Sequence, residues 1–314
     1  MLGIVYKSTG NEFLVKTTSK KLYKCKLKGR FRTYDIKSTN PVSVGDNVKF
    51  HVENIEQKTG VIYEIEKRKN YIIRKSVNLS KESHILASNI DCCFLFVTPS
   101  KPETTTTFID RILVSTKSYN INTIILFNKV DLYTEKEKDF IKSLIKIYTQ
   151  IGYECIEISS LQKINLEKIM EIMKDKVSIF TGHSGVGKST LLNSLSPKLS
   201  IKTANVSNQN KQGLHTTTFS QMYDLDFGAK IIDSPGIKGF GLYNIEKEEV
   251  KMYFPEFLLF NENCKFNNCL HLNEPNCAVK DNIKSGKISI SRYESYLNII
   301  KSTNKKYRIN DLKL

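Results

Sequence analysis

The sequence predicts an α/β core flanked by a small N-terminal all-β barrel and a mostly helical C-terminal segment. Three observations predict it. Residues 1–75 carry short alternating stretches broken by turn residues. From Cys92 onward, continuous apolar runs alternate with helical stripes, the pattern of a parallel sheet covered by helices. Near the C-terminus, three cysteines and one histidine fall within residues 264–277, a full tetrahedral donor set for a metal ion.

In the first part, Gly3–Tyr6, Glu12–Val15, Lys21–Cys25, Asn47–Val52 and Gly60–Ile65 read as strands, with turns at Thr9–Asn11 and Val44–Asp46. Several short strands in so small a segment suggest a closed barrel of the OB type. The basic run Lys20–Arg32, with Tyr23, Phe31 and Tyr34 interleaved, resembles the combination of charge and stacking groups that barrels offer to RNA; each ring taken singly is expected in the core, and the surface as a whole favours RNA. Charge is segregated in the same sense. Residues 1–75 hold 17 Lys/Arg against 7 Asp/Glu, residues 278–314 hold 9 against 3, and residues 76–277 hold 22 of each. Two basic ends around a neutral core favour a polyanionic partner.

The middle part begins with the apolar strand Cys92–Val97, followed by a helix over Phe108–Ser118 and the strand Ile124–Phe127. Phe140, Leu144, Ile147 and Ile151 form a helical stripe, the strand Cys155–Ile158 follows, and a short helix spans Leu166–Met173. Such a doubly wound order places ligands at the carboxyl ends of its strands. Every motif of this region falls at such an end. Gly182-His183-Ser184-Gly185-Val186-Gly187-Lys188-Ser189 fits G-x-x-x-x-G-K-[ST], with the apolar run Val177–Thr181 before it and the helical Thr190–Leu195 after it. Glycines let consecutive backbone N–H groups point at a phosphate, and the following helix N-terminus adds positive partial charge. Gly182, Gly185, Val186, Gly187 and Thr190 belong to that cradle, Lys188 reaches the β- and γ-phosphates, and the Ser189 hydroxyl ligates Mg²⁺.

Asn128-Lys129-Val130-Asp131 ends the strand before it. A carboxylate at Asp131 accepts two hydrogen bonds from the N1–H and exocyclic amine of guanine, a donor pair that adenine lacks. Asn128 can tie purine to phosphate loop, the Lys129 stem can pack on the base, and Ser159-Ser160 can back the base through N–H groups. Downstream, Gly213-Leu214-His215-Thr216-Thr217-Thr218 offers hydroxyls for Mg²⁺ and the γ-phosphate. Thr217 and Thr218 are the candidates, Thr218 for the ion, and the sequence leaves the choice within 216–218 open. The strand Lys230–Ile232 ends in Asp233-Ser234-Pro235-Gly236, where Asp233 can hold Mg²⁺ and the Gly236 N–H can sense the γ-phosphate. The glycines of 236–241 suit a mobile switch. Ile237 follows D-x-x-G and cannot orient water, which leaves His215 as the polar group able to do so or to serve only within its loop.

The last part carries Cys264-x4-Cys269-x-His271-x5-Cys277. Four protein donors leave no open position, so a Zn²⁺ there is structural. Tyr293, Leu297 and Ile300 mark a helix, and a basic tail runs from Lys301 to Lys313. Seven cysteines, an odd number, fit metal ligands and core thiols rather than disulfides. No apolar run approaches the ~18–20 residues that cross a bilayer, and Met1–Tyr6 lacks the basic and long apolar regions of a signal peptide. A cytoplasmic protein with no membrane partner is expected.

Together these residues resemble the ribosome small-subunit-dependent GTPase A family (RsgA) over almost the whole chain. The motif order carries the resemblance: guanine motif, Ser159-Ser160, phosphate loop, Gly213–Thr218, then Asp233–Gly236, or G4-G5-G1-G2-G3, where ordinary GTPases start with the phosphate loop. The resemblance implies a circularly permuted P-loop GTPase domain at 76–241, an OB-like barrel at 1–75 and a zinc-binding domain at 242–314. It implies GTP/GDP with Mg²⁺, one structural Zn²⁺, and a late assembly role on the 30S small ribosomal subunit, which stimulates hydrolysis. It further implies contacts to 16S rRNA through the barrel and zinc domain, a monomeric protein, and a part in hydrolysis for His215 alongside Lys188. Two other readings remain: an RNA-binding factor in which nucleotide is only a structural or regulatory ligand, and a P-loop kinase, against which Asn128–Asp131 speaks.

Overall fold

The computed structural model describes residues 1–28, 41–75, 83–199, 220–233 and 245–304. Five strands, β1 (Leu2–Ser8), β2 (Phe13–Thr17), β3 (Leu22–Leu27), β4 (Asn47–Asn54) and β5 (Thr59–Ile65), close on themselves in the order β1-β2-β3-β5-β4-β1. The β3–β5 pair is parallel and the others antiparallel. Alternate residues point inward, so Val5, Phe13, Val15, Tyr23, Cys25, Val48, Phe50 and Ile62 fill the barrel.

That alternation places Tyr23 in the core, as expected for a single ring of the basic run: it is 5% exposed and packs its ring 5.3 Å from Phe50. Its neighbours Leu22, Lys24 and Lys26 take the outer face instead, while Phe31 and Tyr34 lie outside the described residues. Among the described residues, His51 and Tyr63 are exposed rings of the barrel, stacked 4.3 Å apart on β4 and β5.

A hairpin of β6 (Tyr71–Lys75) and β7 (Ser83–Ser88) follows, and the boundary expected between 75 and 76 falls inside it. It is riveted to the barrel by Asp46. This fully buried carboxylate accepts from Arg68 Nε (2.6 Å) and Nη2 (2.6 Å), from Ser88 Oγ (2.6 Å) and from the Ser43 N–H (2.8 Å). Gly45 beside it has φ +96°, and a Cβ there would lie 2.1 Å from the Ser88 carbonyl oxygen.

The core runs β8 (Cys92–Val97), α1 (Thr106–Ser118), β9 (Asn122–Asn128), α2 (Glu135–Gln150), β10 (Glu154–Ile158), α3 (Leu166–Met173), β11 (Val177–Thr181), α4 (Lys188–Leu195), β12 (Gln221–Asp224) and β13 (Lys230–Asp233). The strands lie in the order β10-β9-β8-β11-β13-β12, parallel except for β12. Every residue of β8 is buried because both faces are covered: Cys93, Leu95 and Val97 face α1 and α2, and Phe94 and Phe96 face α3 and α4. β12 also pairs antiparallel with β1 at Lys7 and Gln221, which joins the barrel to the core sheet. Tyr6 Oη donates to Asp224 (2.6 Å) beside that junction, and Lys16 pairs with the same carboxylate.

Of the expected α2 stripe, Leu144 is buried and Ile151 packs against the core, whereas Phe140 is 46% exposed; Ile141 and Tyr148 complete the buried face with Leu144. Tyr148 can go inside because its hydroxyl donates to Asp110 (2.7 Å).

The C-terminal part is helical: α5 (Pro255–Asn261), α6 (Ala278–Lys284) and α7 (Ile290–Asn304). Its apolar core includes Phe254, Phe257, Val279, Tyr296, Ile299 and the three cysteines, and reaches across to Val114 of α1. Among the described residues, no helix is long and apolar enough to cross a membrane.

Removing a partner from a buried ion pair costs about 3–5 kcal/mol, because the other charge stays buried without compensation. Asp46→Ala is therefore expected to lower the free energy of chemical unfolding by about that much. A loss below about 1 kcal/mol, the range of an exposed pair, would remove this rivet from the account.

Candidate nucleotide site and metal centre

β11 lies between β8 and β13, and β9 is two strands away, so the sheet order brings four motif-bearing strand ends to one edge. The phosphate loop leaves β11 at Gly182 and enters α4 at Lys188. Its ammonium donates to the carbonyls of Gly182 (2.7 Å) and His183 (2.5 Å), which folds the side chain back over the start of the loop. Ser189 and Thr190 follow in the first turn of α4, half-buried. Asp233 ends β13, the strand paired with β11 on the side away from β8, so its carboxylate is delivered to the same edge as Ser189.

One side chain joins the two halves of this edge. Asn128, 1% exposed at the end of β9, donates from Nδ2 to the Val186 carbonyl (2.7 Å). Its Oδ1 accepts from the Ser160 N–H (3.0 Å) and the Ser160 hydroxyl (2.9 Å). Ser194 of α4 closes the circuit by donating to the Ser160 carbonyl (2.8 Å). Glycine is required opposite this amide: Gly187 has φ +104°, and a Cβ there would lie 2.2 Å from Asn128 Nδ2. Ser159 and Ser160 are buried at the end of β10. Lys129 adopts φ +71°, and Nζ donates to the Lys101 carbonyl (2.6 Å); burial lowers its pKa, opposed by Asp131. Asp131 is exposed, with its carboxylate open to a ligand. His215, Thr217, Thr218 and Gly236 lie outside the described residues.

The sequence did not indicate the contact of His183 with Phe108, whose ring centroids are 3.9 Å apart. Burial and the Lys188 charge lower the His183 pKa, so the neutral ring is the one that packs there at pH 7. A helical apolar residue opposite a loop histidine has no spacing signature, and only the fold brings α1 to the loop.

At the far end, the ligand atoms of Cys264, Cys269, His271 and Cys277 all lie within 4.8 Å of one another, and all four residues are buried. Cys264 Sγ is 3.8 Å from His271 Nδ1 and 4.0 Å from Cys277 Sγ, and His271 Nδ1 is 3.3 Å from Cys277 Sγ. Tetrahedral Zn²⁺ with its usual bond lengths separates such donors by roughly 3.5–3.8 Å. Three thiols and an imidazole converging at these separations fit that ion. The knuckle's backbone is held from outside: Lys251 Nζ donates to the Cys269 carbonyl (2.9 Å), Tyr293 Oη to that of His271 (2.7 Å) and Tyr296 Oη to that of Leu270 (2.6 Å). The Glu274 carboxylate accepts the N–H groups of Leu270 (2.8 Å) and Leu272 (2.7 Å). Lys251 and Glu274 could not be singled out in the sequence because they act on the backbone, at positions without fixed spacing from the ligands.

The sequence profile of the RsgA GTPase family matches residues 65–243, and that of the RsgA N-terminal domain matches residues 2–62. The chain belongs to the RsgA GTPase family. It is 54% identical over 309 residues, covering 98% of this chain and 95% of the relative, to the small ribosomal subunit biogenesis GTPase RsgA of Flavobacterium psychrophilum. Among solved structures it resembles YjeQ from Thermotoga maritima, with TM-score 0.75 and 33% identity over 96% of this chain and 97% of that one. It also resembles YloQ, described as a circularly permuted GTPase, with TM-score 0.74 and 29% identity over 97% and 95% of the two chains. The protein is thus a GTP hydrolase of permuted connectivity, with a barrel before the GTPase core and a cysteine–histidine cluster after it.

Gly187→Ala is expected to weaken GDP binding at least tenfold, because the new methyl displaces the Asn128 amide from the loop. Fluorescence titration with a labelled GDP measures this, and an unchanged far-UV spectrum would show that the sheet survives. Affinity within twofold of the parent would mean that the loop does not depend on this close approach.

Proposed function

We propose that this GTPase acts in biogenesis of the small (30S) ribosomal subunit, binding its 16S rRNA and hydrolysing GTP when the subunit completes the site. The bridge from Asn128 to Val186 and Ser160 carries the nucleotide half of the reading, since it makes base and phosphate recognition one rigid edge. The small-subunit biogenesis role that names the Flavobacterium relative and the basic ends of the chain support the ribosomal half.

In this reading Asp131 accepts from the guanine N1–H and amine, while Asn128, Lys129, Ser159 and Ser160 frame the base. Gly182, Gly185, Val186, Gly187 and Thr190 cradle the phosphates with backbone N–H groups, and Lys188 moves from its loop carbonyls onto the β- and γ-phosphates as charge develops there. Ser189, Thr218 and Asp233 hold Mg²⁺, which neutralises phosphate charge; Thr217 and the Gly236 N–H contact the γ-phosphate. His215 orients the attacking water, the part that Ile237 cannot play. Cys264, Cys269, His271 and Cys277 hold a structural Zn²⁺. The working units are a barrel at 1–75, a GTPase domain at 76–241 and a zinc domain at 242–314, acting as a monomer in the cytoplasm.

The deciding experiment is single-turnover GTP hydrolysis with and without purified small subunits over a salt series. Stimulation that falls steeply with salt is expected, because each Lys/Arg–phosphate contact releases counterions. No stimulation at any salt would leave nucleotide as a structural ligand of an RNA-binding factor. Two variants test the residue roles. Asp131→Asn should weaken GTP at least about tenfold and improve binding of xanthosine triphosphate, because the amide now donates where the carboxylate accepted; an unchanged base preference contradicts its role. His215→Ala should keep GTP affinity within about twofold and lower subunit-stimulated turnover by about a hundredfold, of the order seen when a group that positions the reacting water is lost. Undiminished turnover would assign the water to another residue.

A further inference from the structure

Among the described residues, a second heavily built polar feature away from the nucleotide edge and the metal cluster is a buried ion cluster between the core and the C-terminal domain. Arg292 of α7 is 1% exposed, yet carries a full guanidinium. Its Nε and Nη2 donate to Glu256 of α5 (2.7 and 3.1 Å), and its Nη1 donates to Asp110 of α1 (2.5 Å). Tyr148 of α2 donates to the same Asp110 oxygen (2.7 Å), and the guanidinium lies 4.4 Å from the Phe254 ring centroid. Two elements of the GTPase core and two of the C-terminal domain therefore share one buried charge cluster. Such a cluster fixes relative position sharply, because any slippage leaves a charge in a low-dielectric interior.

The element it grips is α1, and α1 is also the helix that touches the nucleotide edge. Two residues before Asp110, Phe108 packs on His183 of the phosphate loop. The segment leading into α1 meets the base motif, where the Lys101 carbonyl accepts from Lys129 Nζ. Along the outer side of α1, Arg111 donates to Ser302 (3.3 Å) and Asn298 to Thr107 (3.5 Å), so α7 follows the helix beyond the ion cluster.

We propose that α1 is a rigid coupler: the C-terminal domain, through Arg292, sets the position of α1, and Phe108 passes that position to the phosphate loop through His183. Phe108 and Asp110 are thus positioning residues for nucleotide binding. Asp110 is fully buried and acts through its neighbours alone. The inference rests on residues 182–189 being the phosphate-binding loop, and it gives the C-terminal domain a path to the GTPase centre separate from the chain link at 234–244. A partner that shifts the C-terminal domain would change GTP affinity by this path, and nucleotide would by necessity bias the C-terminal domain in return.

A double-mutant cycle on the full chain tests the coupling, read as the GDP dissociation constant. Phe108→Leu removes the ring contact. Asp110→Leu, Tyr148→Phe, Glu256→Leu and Arg292→Met together replace the ion cluster by apolar groups, a change that other proteins tolerate when all the partners are exchanged. Each alone is expected to weaken GDP about fivefold, the lower end for coupled sites. Combined, they should weaken it by no more than about tenfold, since both cut the same path. Phe108→Tyr, which keeps the ring, should restore parental affinity. A barrel-core variant, Val48→Ala, serves as the stability control and should leave GDP affinity within twofold at an equal loss of Tm. Multiplication of the two effects to about twenty-fivefold or more, or unchanged affinity in the cluster variant, would overturn the proposal.

If the cluster variant does not fold, hydrogen exchange on the parent protein decides. GDP should slow amide exchange in α7 as well as in the phosphate loop, and unchanged exchange in α7 would refute the coupling. Failure of the parent to bind GDP at all would instead count against the nucleotide site itself.

Discussion

The Asn128 carboxamide, with one donor on Val186 and one oxygen shared by two Ser160 groups, holds together three loops that leave three different strands. In the proposed function, base recognition by Asp131 and phosphate recognition by the Gly182–Ser189 loop are useful only at a fixed separation. A nucleoside diphosphate spans both, and each degree of freedom between them would be lost on binding. Asn128 removes that freedom beforehand, inside a pocket where an unpaired amide would be costly. Gly187 follows from the same requirement, since the amide approaches the backbone where a side chain would stand. The doubly wound sheet supplies the rest by putting β8 between β9 and β11, so their carboxyl ends converge.

Permutation changes what this edge is connected to, not how it is built. The parallel strands take their places irrespective of where the chain begins, because burial on both faces and sheet pairing are satisfied by position. The chain ends are moved: β12 now joins the barrel through β1, and β13 leads toward the metal domain. Chain order alone suggests that a signal from the γ-phosphate reaches the metal domain through residues 234–244. The structure adds a tertiary route, because the C-terminal domain folds back onto α1 and holds it through Asp110. The barrel is fastened as firmly on its own side by Asp46 and its four hydrogen bonds.

Much of this was legible in the sequence, for a physical reason. Phosphate loops, N-K-x-D and metal knuckles are local: the residues that act together are neighbours in the chain, and their spacing encodes the geometry. Asn128 and Lys188 accordingly fall at strand and helix ends, and the Cys264–Cys277 ligands converge, as their patterns predict. Tyr23 and Cys25 go inward because strict alternation in a small closed barrel leaves the lysines outside, so the core place expected for any single ring of this run is the one Tyr23 takes. Tyr148 stood outside the expected α2 stripe because a tyrosine reads as amphipathic until its partner Asp110 is known. Arg292 and Asp110 are 182 residues apart, and no pattern pairs an ordinary helix arginine with an ordinary helix aspartate over that distance.

The central claim is that Asn128 makes base and phosphate recognition a single site, and titration calorimetry of Asn128→Ala with GDP tests it most directly. The variant leaves the Val186 carbonyl and Ser160 without their buried partner and frees the two loops to move apart. The account predicts a loss of GDP affinity of about a hundredfold, corresponding to two or three buried hydrogen bonds, with the barrel and metal cluster unaffected. Affinity within threefold of the parent would contradict it, because base and phosphate loops would then hold their separation without this side chain.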